Sequence, residues 1–159
     1  MDTMKSMGAV VAITAVLLLA GMSTGCATGG DVPSADAMPE GASYSGLWYS
    51  EQFEHMYLFQ DGDRVEGVYA YGGGGTLEGE VDGNLLLFSW DEPRTGEAVQ
   101  QSMSGQGFFL LERRGDDLEL VGQWGYNDNR SGAGPWEAEF VRELEEDDPE
   151  TIEELREVH

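Results

Sequence analysis

The sequence predicts an all-β domain: about eight antiparallel strands in an up-and-down meander that closes, or nearly closes, into a barrel. Three observations carry this expectation. Apolar residues alternate with acidic or polar ones at period two in one segment after another, the mark of half-buried antiparallel strands. The connections between most of these segments are short, which makes sequential pairing the economical topology. Glycine also returns at one inward position, in Val65-x-Gly67-x-Tyr69, Leu77-x-Gly79-x-Val81 and Leu120-x-Gly122-x-Trp124. Glycine weakens a strand, so its recurrence fits a sheet that coils tightly or lets a ring approach the backbone. A two-layer β-sandwich is the competing arrangement of the same strands.

The 159 residues hold one domain. The chain starts with one basic residue, Lys5, an apolar run from Ala9 to Ala20, and small residues ahead of Cys26. That is the layout of a secretory signal peptide. The apolar run is shorter than the roughly 20 residues a spanning helix needs. Cys26 is the only cysteine, so no intrachain disulfide forms. Ser23-Thr24-Gly25-Cys26 resembles the lipobox of bacterial lipoproteins, with Ser23 standing where that family prefers a leucine-like residue. The resemblance implies removal of residues 1–25, a diacylglyceryl group on the Cys26 thiol and acylation of its new amino group. Two or three acyl chains hold a protein on a membrane far more durably than one. Ala27 after the cysteine, by resemblance to enterobacterial lipoproteins, implies an extracytoplasmic protein sorted to the bacterial outer membrane. The competing reading is an ordinary secretory signal with Cys26 incidental.

Acids outnumber bases by 31 to 8, for a net charge of −23. Past Lys5 the positive charges are all arginines. Such a chain repels phosphate backbones, which excludes nucleic acid as a partner. It also repels anionic headgroups, so membrane attachment is expected through the acyl chains on Cys26. The excess itself suits solubility in a salty medium or weak collection of surface cations.

Residues 26–43 are read as the lipidated cysteine and a flexible Gly/Pro/Ser/Ala/acid linker. The domain is expected over 44–142. Its first strand, 46–50, carries Gly46-Leu47-Trp48, and the second, 53–60, ends at Asp61-Gly62-Asp63, a hairpin signal. The third, 64–71, puts Val65, Gly67, Tyr69 and Tyr71 on one face, and Gly72–Gly75 form a hairpin tip. The fourth, 76–81, sets Leu77, Gly79 and Val81 against Glu78 and Glu80. After Asp82-Gly83-Asn84 the fifth, 85–90, is apolar on both faces. The sixth, 103–112, has no clear facing. The seventh, 117–124, sets Leu118, Leu120, Gly122 and Trp124 against Glu119 and Gln123, and the eighth, 136–141, sets Trp136, Ala138 and Phe140 against Glu137 and Glu139. Residues 143–159 form an acidic tail in which Asp148-Pro149 suits a helix start and Ile152, Leu155 and Val158 recur at helical spacing, while Glu153 and Glu157, like charges four apart, favour a frayed or transient helix instead.

Gly46-x-Trp48 on the first strand, the eight-strand meander and Arg142 past the last strand resemble the calycin group of lipocalins and avidin-like barrels. The resemblance implies an arginine packed over the tryptophan at the closed end, and a barrel that holds a small ligand. The run Leu58-x-Gln60-x-Gly62-x-x-Val65-x-Gly67-x-Tyr69, with Trp124-Gly125 and Trp136 after it, resembles a glycine-punctuated repeat of uncharacterised bacterial secreted proteins, which implies no activity.

Chemistry-bearing motifs are sparse. His55 lies within a strand and His159 ends the chain. The sequence has no Cys/His cluster, no His-Glu-x-x-His, and no lysine after the glycine run to cradle a phosphate. Asp61-Gly62-Asp63 lacks the oxygen ladder of a calcium loop, and carboxylate pairs such as Glu78/Glu80 are common in so acidic a chain. The sequence therefore implies no catalytic residue, no metal centre, no cofactor and no enzyme. The aromatic residues remain. Trp48, Tyr69, Tyr71, Trp90 and Trp124, with Phe88 and Trp136, either fill the core or line a pocket for a small apolar or sugar ligand, with the loops 91–102 and 125–135 as its rim. Two functions follow: a lipid-anchored envelope protein with an interaction or structural role, or a calycin-like binder of such a ligand.

Overall fold

The computed structural model describes residues 32–92 and 103–148. Within them every strand pairs antiparallel with its successor, and the last returns to the first, closing an eight-stranded barrel. The strands are β1 (Gly46–Ser50), β2 (Glu54–Asp61), β3 (Arg64–Tyr69), β4 (Gly75–Asp82), β5 (Leu85–Glu92), β6 (Met103–Arg114), β7 (Asp117–Tyr126) and β8 (Gly134–Arg142). A sandwich is thereby excluded. Tyr71 lies in a short 3-10 turn, Tyr71–Gly73, rather than in the third strand.

The inward face is built by pairing large rings with glycines across strands. Phe88 stands opposite Gly79 on one side and Gly107 on the other, and Trp90 stands opposite Gly105. Gly122 lies between Phe109 and Trp136, and Gly107 also faces Trp124. A methyl group at Gly107 would strike the Phe88 ring, and one at Gly75 the Tyr69 ring. The glycines are therefore seats for rings, and they resolve the facing of β6: Gly105, Gly107, Phe109 and Leu111 point inward. A small barrel has room for its side chains only if bulky and minimal residues alternate, and this register supplies that alternation. Trp48, Met56, Leu58, Val65, Leu86, Phe109, Leu111 and Leu120 complete the buried interior.

Several outward positions carry glutamates. Glu66 faces Glu78 across β3 and β4, and Glu119 faces both Glu112 and Glu139. Arg64 relieves the first pair, reaching Glu66 at 3.1 Å and Glu78 at 3.2 Å. Exposed Tyr49, Phe59 and Val141 share the outer face with these glutamates.

One end of the barrel is sealed. The linker expected over 27–43 falls partly outside the described residues, and its later half is a strap across this end, not a free tether. Asp36 donates its N–H to Asn84 Oδ1 at 2.8 Å and accepts the Asn84 N–H at 2.9 Å. Gly83, with φ +56, lets the Asp36 carbonyl lie against the β4–β5 turn where any side chain would collide. Met38 and Ala42 pack on the core, and Arg113 holds the Glu40 carbonyl at 3.2 Å. Tyr44, fully buried, donates its hydroxyl to the carbonyls of Asn84 (2.7 Å) and Phe109 (3.1 Å). Composition suggested disorder because polar and small residues dominate; backbone hydrogen bonds and Tyr44 supply the order that periodicity could not reveal.

The calycin-like placement of Arg142 over Trp48 is not what holds this end. The register shifts between Leu47 and Trp48, so Trp48 pairs with Phe140 while Arg142 falls opposite Leu47. Leu47 alternates with the inward Gly46 and Trp48, which sets Arg142 on the outer side. There its guanidinium grips both oxygens of Asp148, at 2.8 and 2.9 Å. The Trp48 ring is met edge-on by Phe140 at 5.1 Å, and its indole N–H donates to the Tyr44 carbonyl at 2.9 Å. Asp148, expected as a helix N-cap, is buried against Arg142 and also accepts the Glu145 N–H. The helix expected beyond it lies outside the described residues.

Candidate functional site

The opposite end is open. Its rim comes from the β1–β2 turn, the β3–β4 turn, and the approaches to the β5–β6 and β7–β8 connections. Behind it lies a cavity of about 320 Å³, walled by Phe53, Tyr69, Tyr71, Trp90, Trp124, Tyr126 and Trp136, with Met103, Gln52 and Glu92 among its other lining residues. The volume falls at the lower end of the range for small-molecule sites.

Each ring is placed by the strand pattern. Tyr69 ends β3 on the inward register and lies over Gly75. Trp90 occupies the inward position of β5 opposite Gly105, and donates its indole N–H to the Gly125 carbonyl at 3.2 Å. Trp124 and Tyr126 follow at alternate positions of β7. Trp90, Trp124 and Tyr126 meet edge to face, with centroids 5.1 to 5.9 Å apart. Tyr71 and Tyr126 stand at the rim, 45% and 44% exposed.

Phe53 fills the centre. It stacks on Trp136 at 4.0 Å and meets Tyr69, Tyr71 and Trp124 edge-on. It hangs from a turn whose next residue, Glu54, has a left-handed φ of 61°, a conformation uncommon outside glycine, asparagine and aspartate. Beneath it Trp136 is 1% exposed, enclosed by the perpendicular rings of Tyr69, Phe88 and Phe109. Its Nε1–H is buried with no hydrogen-bond acceptor, an arrangement that costs about 1–3 kcal/mol unless a ring face or ligand atom accepts it.

The polar content of the wall is one-sided. The Tyr69 hydroxyl donates to Glu92 Oε1 at 3.0 Å. Burial first, and then the Glu92 carboxylate, hold that phenol well above the ordinary tyrosine range. Among the described residues no arginine, lysine or histidine lines the cavity.

Of the seven aromatic residues named from the sequence, five come together here: Tyr69, Tyr71, Trp90, Trp124 and Trp136. Trp48 does not: it belongs to the core toward the sealed end. Glu92 and Tyr126 belong to the segments expected at the rim, while the sequence alone does not point to Phe53 or Gln52. Tyr126 is also accessible through the period-two register of its strand. Phe53 is not, because it works from a turn. His55 stands on the outer side of β2, its ring 5.2 Å from that of Tyr49. Among the described residues no three acidic, histidine or cysteine side chains converge on a metal position. Cys26 lies outside the described residues.

Fold and site together define a small, closed, eight-stranded up-and-down barrel with an aromatic cavity at one end. No family model, curated protein or solved structure matches the chain.

Proposed function

We propose that this protein is a non-enzymatic binder of a small molecule, held in the open end of the barrel, and tethered outside the cytoplasm to a bacterial membrane through acyl chains on Cys26. The observation that carries the binding reading is the cavity of about 320 Å³ among rings that the rest of the core could have filled. Small barrels normally pack their interiors completely. A purely structural barrel would gain dispersion and burial by closing this space, as it does at the other end with Tyr44 and the strap.

The tether reading rests on the signal-like start and Cys26. The strap enters at the sealed end, so a membrane anchor at Cys26 would leave the mouth directed away from the bilayer. Nine residues from Cys26 to Ala35 allow an extended reach of about 30 Å.

Native mass spectrometry of the full chain purified from its host tests the binding reading. The expected result is a small-molecule adduct, lost when Tyr126 at the rim is replaced by arginine. Bare protein from both forms would refute it. Palmitate labelling of wild type but not of Cys26→Ser is expected for the anchor; equal labelling of the two would exclude it.

A further inference from the structure

Resting on the pocket reading above, we infer that the cavity selects an organic cation, of the alkylammonium or quaternary ammonium class, over neutral and anionic ligands of the same shape. Four features of the wall agree. Aromatic faces carry negative electrostatic potential, and a cation within about 6 Å of a ring centroid is attracted to it. Tyr71, Trp90, Trp124 and Tyr126 are brought to one mouth. The near-perpendicular packing of the last three, with interplanar angles of 66° to 78°, turns their ring faces in several directions.

Two donors of the wall are spent within the protein. The Trp90 indole N–H is bound to the Gly125 carbonyl and the Tyr69 hydroxyl to Glu92. Glu92 adds a carboxylate to the same wall. No basic side chain is among the described lining residues to meet a ligand carboxylate or phosphate. The whole chain, at −23, raises the local concentration of cations further. A quaternary ammonium also suits the site chemically: it has no N–H to satisfy, and its methyl groups bury well against rings.

The test titrates the full chain with choline and with its neutral isostere, in which carbon replaces the quaternary nitrogen, while following the indole N–H resonances of Trp90 and Trp124. Choline is expected to shift both and to bind about tenfold tighter than the isostere, the gain of a desolvated cation–π site. Tyr126→Leu keeps the apolar volume and removes one exposed ring face, and is expected to weaken choline about threefold while leaving the isostere unchanged. Equal affinity for both compounds would overturn the cation preference and leave the pocket reading standing. Silence toward both would overturn it as well, and the adduct sought by native mass spectrometry then decides whether the pocket binds anything.

Discussion

Phe53 lies on the face of Trp136, with ring centroids 4.0 Å apart and planes 27° from parallel. This stack is the floor of the open end, and the Trp136 indole N–H beneath Phe53 is buried with no acceptor. Because Phe53 comes from a turn rather than a strand, its removal leaves the hydrogen-bonded wall intact.

Phe53→Ala is therefore expected to keep the barrel fold while lowering stability by about 3 kcal/mol, the range for deleting a buried phenylalanine. The Trp136 indole proton should exchange with solvent markedly faster in the variant, measured by hydrogen exchange on the indole resonance. Unchanged exchange would mean that Phe53 does not shield Trp136.

The ring-seating glycines make a second expectation sharp. A methyl group at Gly122 would collide with the Phe108 carbonyl and press on the Phe109 ring, so neither flexible side chain nor solvent can yield. Gly122→Ala should cost more than about 3 kcal/mol, beyond ordinary overpacking. Gly115 sits in the β6–β7 turn at φ +64 with nothing nearby. Gly115→Ala should cost only the left-handed strain of about 1–2 kcal/mol. Urea denaturation of the two variants distinguishes seat from turn; equal losses would contradict the assignment.

Much of this architecture was legible beforehand, for a physical reason. Alternation along Leu118–Trp124 and Trp136–Phe140 reports burial on one face, and that face became the interior. Glycine recurrence reported close approach, although the sequence alone did not say that the visiting groups would be Phe88, Trp90 and Phe109. The site was only half legible. Tyr69, Trp90 and Trp124 lie on inward registers, but so does Trp48, and nothing in periodicity tells which end of a barrel a ring occupies. The end is set by register and by what seals it. The seal is a strap of Asp36, Glu40 and Tyr44 whose bonds are backbone-mediated and so leave no pattern. Phe53 and the outward turn of Arg142 depend on a tight turn and a register shift, features of three-dimensional closure.

The Arg142–Asp148 pair gives a pH dependence with a definite sign. Hydrogen bonds from Arg142 first, and then the Glu145 N–H, hold the Asp148 carboxyl below the usual carboxylate range. A group with a depressed folded value adds stability that is fully present above its unfolded pKa of about 3.9 and is lost as pH falls through the folded value. Asp148→Asn should lower the melting temperature at neutral pH. The gap to wild type should close as the pH drops well below 4. A gap that persists at low pH would show that packing, not ionisation, supports this corner.

The outer wall predicts the response to salt. Glu66 stands directly opposite Glu78, and Glu119 lies between Glu112 and Glu139, so like charges face each other across neighbouring strands. Opposed like charges destabilise a sheet, and a chain at −23 repels itself as a whole. Arg64, bridging Glu66 and Glu78, and Arg114, 3.1 Å from Glu119, are local relief. Raising ionic strength from about 0.01 M to about 1 M shortens the screening length from roughly 30 Å to 3 Å. The melting temperature is therefore expected to rise steadily with sodium chloride. Arg64→Gln should cost up to about 1 kcal/mol in dilute buffer, the scale of exposed pairs, and nearly nothing in concentrated salt. Paired thermal melts of both proteins across the salt series check this. A melting temperature that stays flat or falls would mean that the glutamate rows are already neutralised by bound cations or counter-charges, and that repulsion is not what limits the barrel.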